Sequence, residues 1–303
     1  MYKNLNSDLI GISGRQSEII ELALTYGFAG IDIDMADLVR RVQRTSFDSA
    51  TRFLTSSKLK IGGWEVPICL DSDDATFAEK LGQLSVVAEI AGRCNATTAT
   101  LKIPSATNRL PFPEYFEVIR KRIQDVANAL SKDGVRVALY FCALPLLEKK
   151  QFTFVNNAET FLALLGACNN PHVGFAFDSW AWQISGGAAD QFEDLPINRA
   201  LAVRVADYSE DVDLRTVTIN DRQLPGQGKS VDNTRYLKSF VEAKLDIPVT
   251  AMSAAPVVGV TREVHVANTQ NALDALFSEA GLTVSRRKPE ALAEAASSSD
   301  QTL

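Results

Sequence analysis

The side chains of this 303-residue chain that can do chemistry are carboxylates, guanidiniums, a phenol and a lysine rather than imidazoles. Only two histidines occur, His172 and His265. Imidazole is the usual ligand of transition metals and the usual acid or base near neutral pH. A multi-histidine metal site is therefore excluded, and acid/base work would fall to other groups. Asp32 and Asp34 alternate with Ile31, Ile33 and Met35, so both carboxylates face one side of an extended segment. If that side is interior, Asp34 sits at its edge and Asp32 lies one layer deeper, where it needs donors. Trp64 with Glu65, Lys102, Tyr140, Asp178 with Trp180 and Trp182, Arg204 with Asp207, and Met252 with Ser253 each close a short apolar run. Arg222 stands just ahead of LPGQG. Acids, two arginines, a lysine and tryptophans together suit a small polar or anionic ligand with one apolar face.

Each of these residues also has a plainer use. Asp178 is either a ligand-facing carboxylate or a structural acid. Lys102 would form a Schiff base only if its pKa were depressed, and a lysine among acids more often neutralises them. The tryptophans are stacking platforms for a sugar face or parts of the core. Arg222 either grips a phosphate or carboxylate or fixes its own loop. His172 precedes an apolar run, and His265, after the last strand candidate, either hangs over the mouth or is a surface or helix-start residue.

The chain carries 31 Lys and Arg against 37 Asp and Glu, a formal charge of −6, which is not the balance of a protein that neutralises a phosphate backbone. Nucleic acid is not an expected partner. No apolar run reaches the length of a membrane span, and MYKNLNSDLIG lacks the pattern of a secretory leader. Cys69, Cys94, Cys142 and Cys168 are far apart, form no Cys-x-x-Cys pair, and read as buried, reduced thiols. A cytoplasmic location is the expectation. A homo-oligomer is compatible with everything above.

The elements that must position these groups follow from periodicity. Short apolar runs alternate with helical periods along nearly the whole chain. The strand candidates are Leu9 to Ser13, FAGIDIDM, KIGGWEVPICL, TATLKIP, VRVALYFC, HVGFAFDS, ALAVRVADY and IPVTAMSA. Helices are predicted over 16–26, 36–56, 75–93, 115–130, in AETFLALLGAC, and over 233–245 and 269–280. Strands alternating with helices imply parallel pairing and right-handed crossovers. Eight such units fit a single-domain α/β fold of the (β/α)8 TIM-barrel type over residues 1–285. An open doubly wound sheet is the competing topology, but no Gly-x-Gly-x-x-Gly follows the first strand. Residues 286–303 are polar and Ala/Ser-rich and read as a mobile tail. In such a barrel the site lies where the strands end, which is where the residues above stand.

DSWAWQISGG, VRVADY and DRQLPGQG, in that order, together with YGFAGIDID and the stretch PSATNRLPFPEYFEVIRKRIQDVANAL, resemble the sugar phosphate isomerase/epimerase family, which has the xylose isomerase-like TIM-barrel fold. The resemblance covers about residues 8–280. It implies a divalent metal held by a Glu at the end of the fifth strand, an Asp at the sixth, a His at the seventh and a Glu at the eighth, the two Glu also shuttling the proton. Residue by residue, the fifth-strand Glu falls at Tyr140, the sixth-strand Asp is kept as Asp178, and the His that follows it falls at Ala181. The seventh-strand His falls at Arg204 although Asp207 is kept, and the eighth-strand Glu falls near Met252. The loop Pro-Gly-Glu-Gly reads Pro-Gly-Gln-Gly, with Gln227.

One Asp, one Tyr and a Met do not make a divalent-ion shell, and Arg204 puts a fixed charge where the cation would sit. The expectation is therefore a divergent member of that family with no metal and no other cofactor. It would bind a small sugar, polyol, sugar acid or sugar phosphate without metal-dependent isomerase activity. Its ligand contacts would come from Asp34, Trp64, Glu65, Lys102, Tyr140, Asp178, Trp180, Arg204, Asp207 and Arg222. The alternative is a metal-free isomerase, epimerase or lyase with Asp178, Tyr140, Lys102 or Glu65 as acid or base. Arg204 and Asp178 end adjacent strands, so the guanidinium is expected to replace the cation and pair with the Asp178 carboxylate.

Overall fold

The computed structural model describes residues 1–145 and 150–284. Its strands are β1 (Tyr2–Leu5), β2 (Gly30–Asp32), β3 (Lys60–Glu65), β4 (Thr98–Lys102), β5 (Ala106–Thr107), β6 (Arg136–Tyr140), β7 (Phe152–Thr153), β8 (Val173–Asp178), β9 (Ala200–Val205) and β10 (Pro248–Ala251). Eight of them close a parallel barrel in the order β1-β10-β9-β8-β6-β4-β3-β2, with β1 pairing β2 to complete the ring. β5 and β7 form a small antiparallel pair above it. The helices are α1 (Gln16–Thr25), α2 (Met35–Arg44), α3 (Phe47–Ser57), α4 (Asp74–Arg93), α5 (Phe112–Ser131), α6 (Ala158–Ala167), α7 (Ser179–Ile184), α8 (Ala189–Glu193), α9 (Asn233–Glu242) and α10 (Arg262–Glu279). This is the expected (β/α)8 barrel, and the open sheet is excluded by its closure.

The strand pleat sorts residues by size. Val137, Leu139, Phe175, Phe177, Val203 and Val205 point outward and pack under the helices. Ala138, Ala176 and Ala202 point inward with Leu201 and form a separate, narrower cluster on which Tyr140 rests. The same alternation turns Asp178 and Arg204 inward at the ends of β8 and β9, where they are register partners.

Three local expectations are corrected. The first strand is Tyr2–Leu5, and Asp8–Ile10, which overlaps the start of the expected strand, is a 3-10 turn. Gly11 there is left-handed, at φ 64°, which an extended run cannot absorb. The helix expected over 36–56 is two helices, the second capped by Ser46, whose side chain accepts from the Ser49 N–H. The last helix starts at Arg262 under a Thr261 cap, well before residue 269. Of the four thiols, only Cys168 is buried, and Cys69 is exposed. Among the described residues no helix is long and apolar enough to cross a membrane. The tail expected from residue 286 lies outside the described residues.

A buried ion pair joins the first strand to the last helix. Lys3, on the outer face of β1, places its Nζ 2.5 Å from Asp274 Oδ1 on α10, and both side chains are buried. Gln270, one turn earlier on the same helix, also donates to Asp274. The first strand and the last helix are thereby fastened across almost the whole sequence.

Candidate active site at the C-terminal mouth

Asp32 ends β2 at the mouth, half-buried above Asn4. The Asn4 amide donates to its Oδ1 at 2.8 Å and the Asn6 amide to its Oδ2 at 2.7 Å. The other Asn4 amide bond reaches Thr250 Oγ1 at 3.0 Å, so one side chain ties β1 to both neighbours, β2 and β10. Asn4 can cross this space because Gly62 has no side chain, and a Cβ there would overlap its carboxamide. Burial pushes the Asp32 carboxyl above its ordinary value, opposed by the two amide donors and the charge of Arg204. The expected need for donors is met. The residues that meet it, Asn4 and Asn6, went unrecognised because their strand was placed later in the chain.

Across the mouth, Tyr140 OH donates to Glu65 Oε1 at 3.4 Å, a long bond between the ends of β6 and β3. Burial raises the Tyr140 phenol to about 12, with Glu65 acting in the same direction and Arg204 against it. The Arg204 guanidinium lies 4.3 Å from the centre of the Tyr140 ring. Lys102 is exposed at the end of β4, in register with Tyr140. Glu65, Lys102, Tyr140 and Arg204 are thus brought to one rim, with Asp32 below them.

The expected pair between Arg204 and Asp178 is not formed. Asp178 turns its Oδ1 to the Ala181 N–H at 2.8 Å and caps α7, which begins at the next residue. A helix start one residue away offers that carboxylate a donor with no second charge to desolvate. Arg204 makes no ion pair within 4.0 Å among the described residues and leans past β8 to Tyr140.

Other expected ligand contacts are committed elsewhere. Asp207 is wholly buried, and its two oxygens accept four backbone N–H groups, those of Tyr208, Lys229, Ser230 and Val231, at 2.8–3.0 Å. It folds the loop that contains Pro225-Gly226-Gln227-Gly228 and has little capacity left for a ligand. Asp34 caps α2 from an exposed position, accepting from Asp37 N–H at 2.8 Å. Trp64, Trp180 and Trp182 are fully buried and offer no open face for stacking. The Trp64 indole N–H donates to Ala96 O at 2.9 Å. The Arg222 guanidinium lies 4.3 Å from the Trp180 ring, and its carbonyl accepts from Ala254 N–H at 2.9 Å, so it joins the two last loops.

His265 sits at the start of α10, its Nε2 near Ser253 Oγ at 3.0 Å and Ile10 O at 3.1 Å, and burial lowers its pKa. Met252, where the resemblance places a Glu, is wholly buried. Among the described residues, no group of three or more His, Cys, Asp or Glu is gathered as a metal site would require. An open cleft of about 530 Å³ lies at the opposite end of the barrel, bounded by Tyr2, Phe47, Lys60, Arg93 and Asp246. Its Lys60 and Asp246 already pair with each other at 2.8 Å, and it lies away from the strand ends where the polar groups converge.

With this geometry, the xylose isomerase-like TIM barrel profile matches residues 20–255. The chain belongs to that family. No curated protein matches the chain. Among solved structures, a xylose isomerase domain protein from Alicyclobacillus acidocaldarius superposes with a TM-score of 0.81 at 21% identity, covering 92% of this chain and 99% of that one. The IolI protein with a bound zinc atom gives 0.79 at 17%, with the same coverage. D-psicose 3-epimerase from Clostridium cellulolyticum H10, solved with D-tagatose, gives 0.70 at 11%, again covering 92% and 99%. At these identities the likenesses establish the fold. Within it, Tyr140 and Asp178 end β6 and β8, Arg204 stands near the end of β9, and Met252 directly follows β10.

Proposed function

We propose that this xylose isomerase-like barrel binds a small polyhydroxylated ligand, a sugar, polyol or sugar derivative, at its C-terminal mouth without a divalent metal. The observation that carries the reading is Arg204, a fixed cation where the resemblance places a histidine ligand. Arginine stays protonated in proteins and cannot ligate a cation, so the position that would hold a metal is filled by charge of the same sign. Asp178 is spent on the α7 cap, and Tyr140 and Met252 replace the two glutamates. Asp32, Glu65 and Tyr140 supply acceptors and a donor for ligand hydroxyls, and the neighbouring sugar epimerase structure makes a carbohydrate the natural class.

The test is a thermal-shift screen of sugars, polyols and sugar acids, repeated with Mn2+ and with EDTA. A ligand that binds the folded state raises the melting point by mass action. The expected result is a stabilising carbohydrate whose effect neither Mn2+ nor EDTA changes. Stoichiometric Mn or Zn in the purified protein, or a shift that appears only with Mn2+, overturns the metal-free reading.

The Glu65–Tyr140 bond favours a second reading, a metal-free enzyme with a rebuilt acid/base set. A phenol with a pKa raised to about 12 remains protonated near neutrality and can donate, while Glu65 accepts. Deuterium uptake from D2O into a carbon-bound position of a bound sugar would support this reading, and its absence would leave binding alone.

A further inference from the structure

We infer that the ligand of the mouth carries a carboxylate, and that Arg204 is the residue that grips it. The inference rests on the reading of the mouth as a carbohydrate site and narrows that ligand to a hydroxylated carboxylic acid. Arg204 is 7% exposed and has no carboxylate within ion-pair distance among the described residues. Its side-chain partner is Tyr140, whose ring lies beneath the guanidinium and whose hydroxyl also interacts with it, a neutral partner that supplies no counter-charge to five N–H donors. The other buried guanidinium among the described residues, Arg122, and the half-buried Arg199 are treated differently, whereas the half-buried Arg222 rests on the Trp180 ring as Arg204 rests on Tyr140. Arg122 donates to Leu70 O, Ser72 O and Asp74, and Arg199 donates to the carbonyls of Leu165, Cys168 and Val173.

None of the acids around Arg204 forms an ion pair with it, and each is turned to another donor. Asp32 takes two amides, Asp178 takes the Ala181 N–H, and Glu65 takes the Tyr140 hydroxyl. A carboxylate for Arg204 therefore comes from outside the described residues. A planar fork matches a carboxylate with two parallel bonds, and a charge-assisted bond is stronger than one to a neutral hydroxyl. Lys102 on the same rim adds a second cation at the entrance. The three nearby acids set the upper limit on ligand charge, since a phosphate dianion meets more repulsion from Asp32, Asp178 and Glu65 than a monoanionic carboxylate does. The same acids can accept from hydroxyls, so the matching ligand is an aldonate or uronate.

Calorimetric titration of the full chain at fixed ionic strength tests this, with D-gluconate and D-glucuronate against D-sorbitol, D-glucose and inorganic phosphate. The acid is expected to bind at least about tenfold more tightly than its neutral counterpart. Arg204→Gln should erase that preference, and Arg204→Lys, which keeps charge but loses the fork, should retain part of it. If Arg204→Gln does not fold, the comparison of acid with neutral ligand on the unaltered chain and on Arg204→Lys still decides. Neutral ligands binding as well as the acids, phosphate binding best, or a preference surviving in Arg204→Gln would overturn the inference while leaving a carbohydrate site. No binding by any sugar, polyol or acid would overturn both.

Discussion

Lys3 and Arg204 are cations buried to nearly the same degree, 6% and 7% exposed, at opposite kinds of place in one barrel. Lys3 lies between the barrel and its helix layer and meets Asp274 at 2.5 Å. Arg204 lies inside the barrel mouth and meets an aromatic ring. Taking a charge out of water is costly unless a counter-charge and hydrogen bonds replace the water. At the seam the chain supplies that replacement itself, and the pair fastens β1 to α10. At the mouth the described residues supply no such counter-charge, and the proposed ligand would bring it. The difference separates a charge paired within the fold from one with no carboxylate partner among the described residues, although burial alone does not distinguish them.

The largest expected effect comes from breaking the seam. Lys3→Met removes the cation and leaves Asp274 buried with its remaining donors, and should destabilise the protein by about 3–5 kcal/mol in denaturant unfolding. The double change Lys3→Met with Asp274→Leu should recover much of that loss, because well-packed apolar groups can replace a buried pair. A single change without measurable cost would mean that the pair does not hold the seam.

A smaller effect is expected at the edge of the mouth. Asp207→Ala strands four backbone N–H groups of the loop around residues 208–231, and should cost about 2–3 kcal/mol. Rapid hydrogen exchange at Lys229, Ser230 and Val231 should accompany it, with β1 and α10 unaffected. Slow exchange at those amides in the variant would show that the loop holds itself without Asp207.

The barrel was largely legible in the sequence. VRVALYFC, HVGFAFDS and ALAVRVADY are apolar on both faces, as strands covered by helices must be, and each became a barrel strand. β1 was not legible. YKNL carries Lys3 toward a salt bridge and Asn4 toward the barrel interior, so its pattern is polar where a strand is expected to be apolar. The apolar residues of the Leu9–Ser13 stretch looked more like a strand, but Ile10 and Ile12 are buried from a turn.

At the mouth, sequence placed Glu65, Lys102, Tyr140 and Arg204 at strand ends, which is where the barrel carries them. It failed wherever a local partner outcompeted a distant one. Asp34 and Asp178 each precede a helix and were taken by its N–H groups, and Asp207 was taken by its own loop. Lys3 and Asp274 lie 271 positions apart, and nothing local in either segment marks the other.

The contrast between the two cations is tested most directly by Arg204→Met, for which the smallest effect is expected. Methionine keeps the apolar stem against Tyr140 and removes the charge. The lost ring contact and the relieved desolvation oppose each other, so unfolding free energy without ligand should stay within about 1 kcal/mol of the unaltered chain. A loss of about 3–5 kcal/mol, equal to that of Lys3→Met, would contradict the account, because it would mean that a carboxylate of the chain already depends on Arg204 and that the mouth holds no charge in reserve for a ligand.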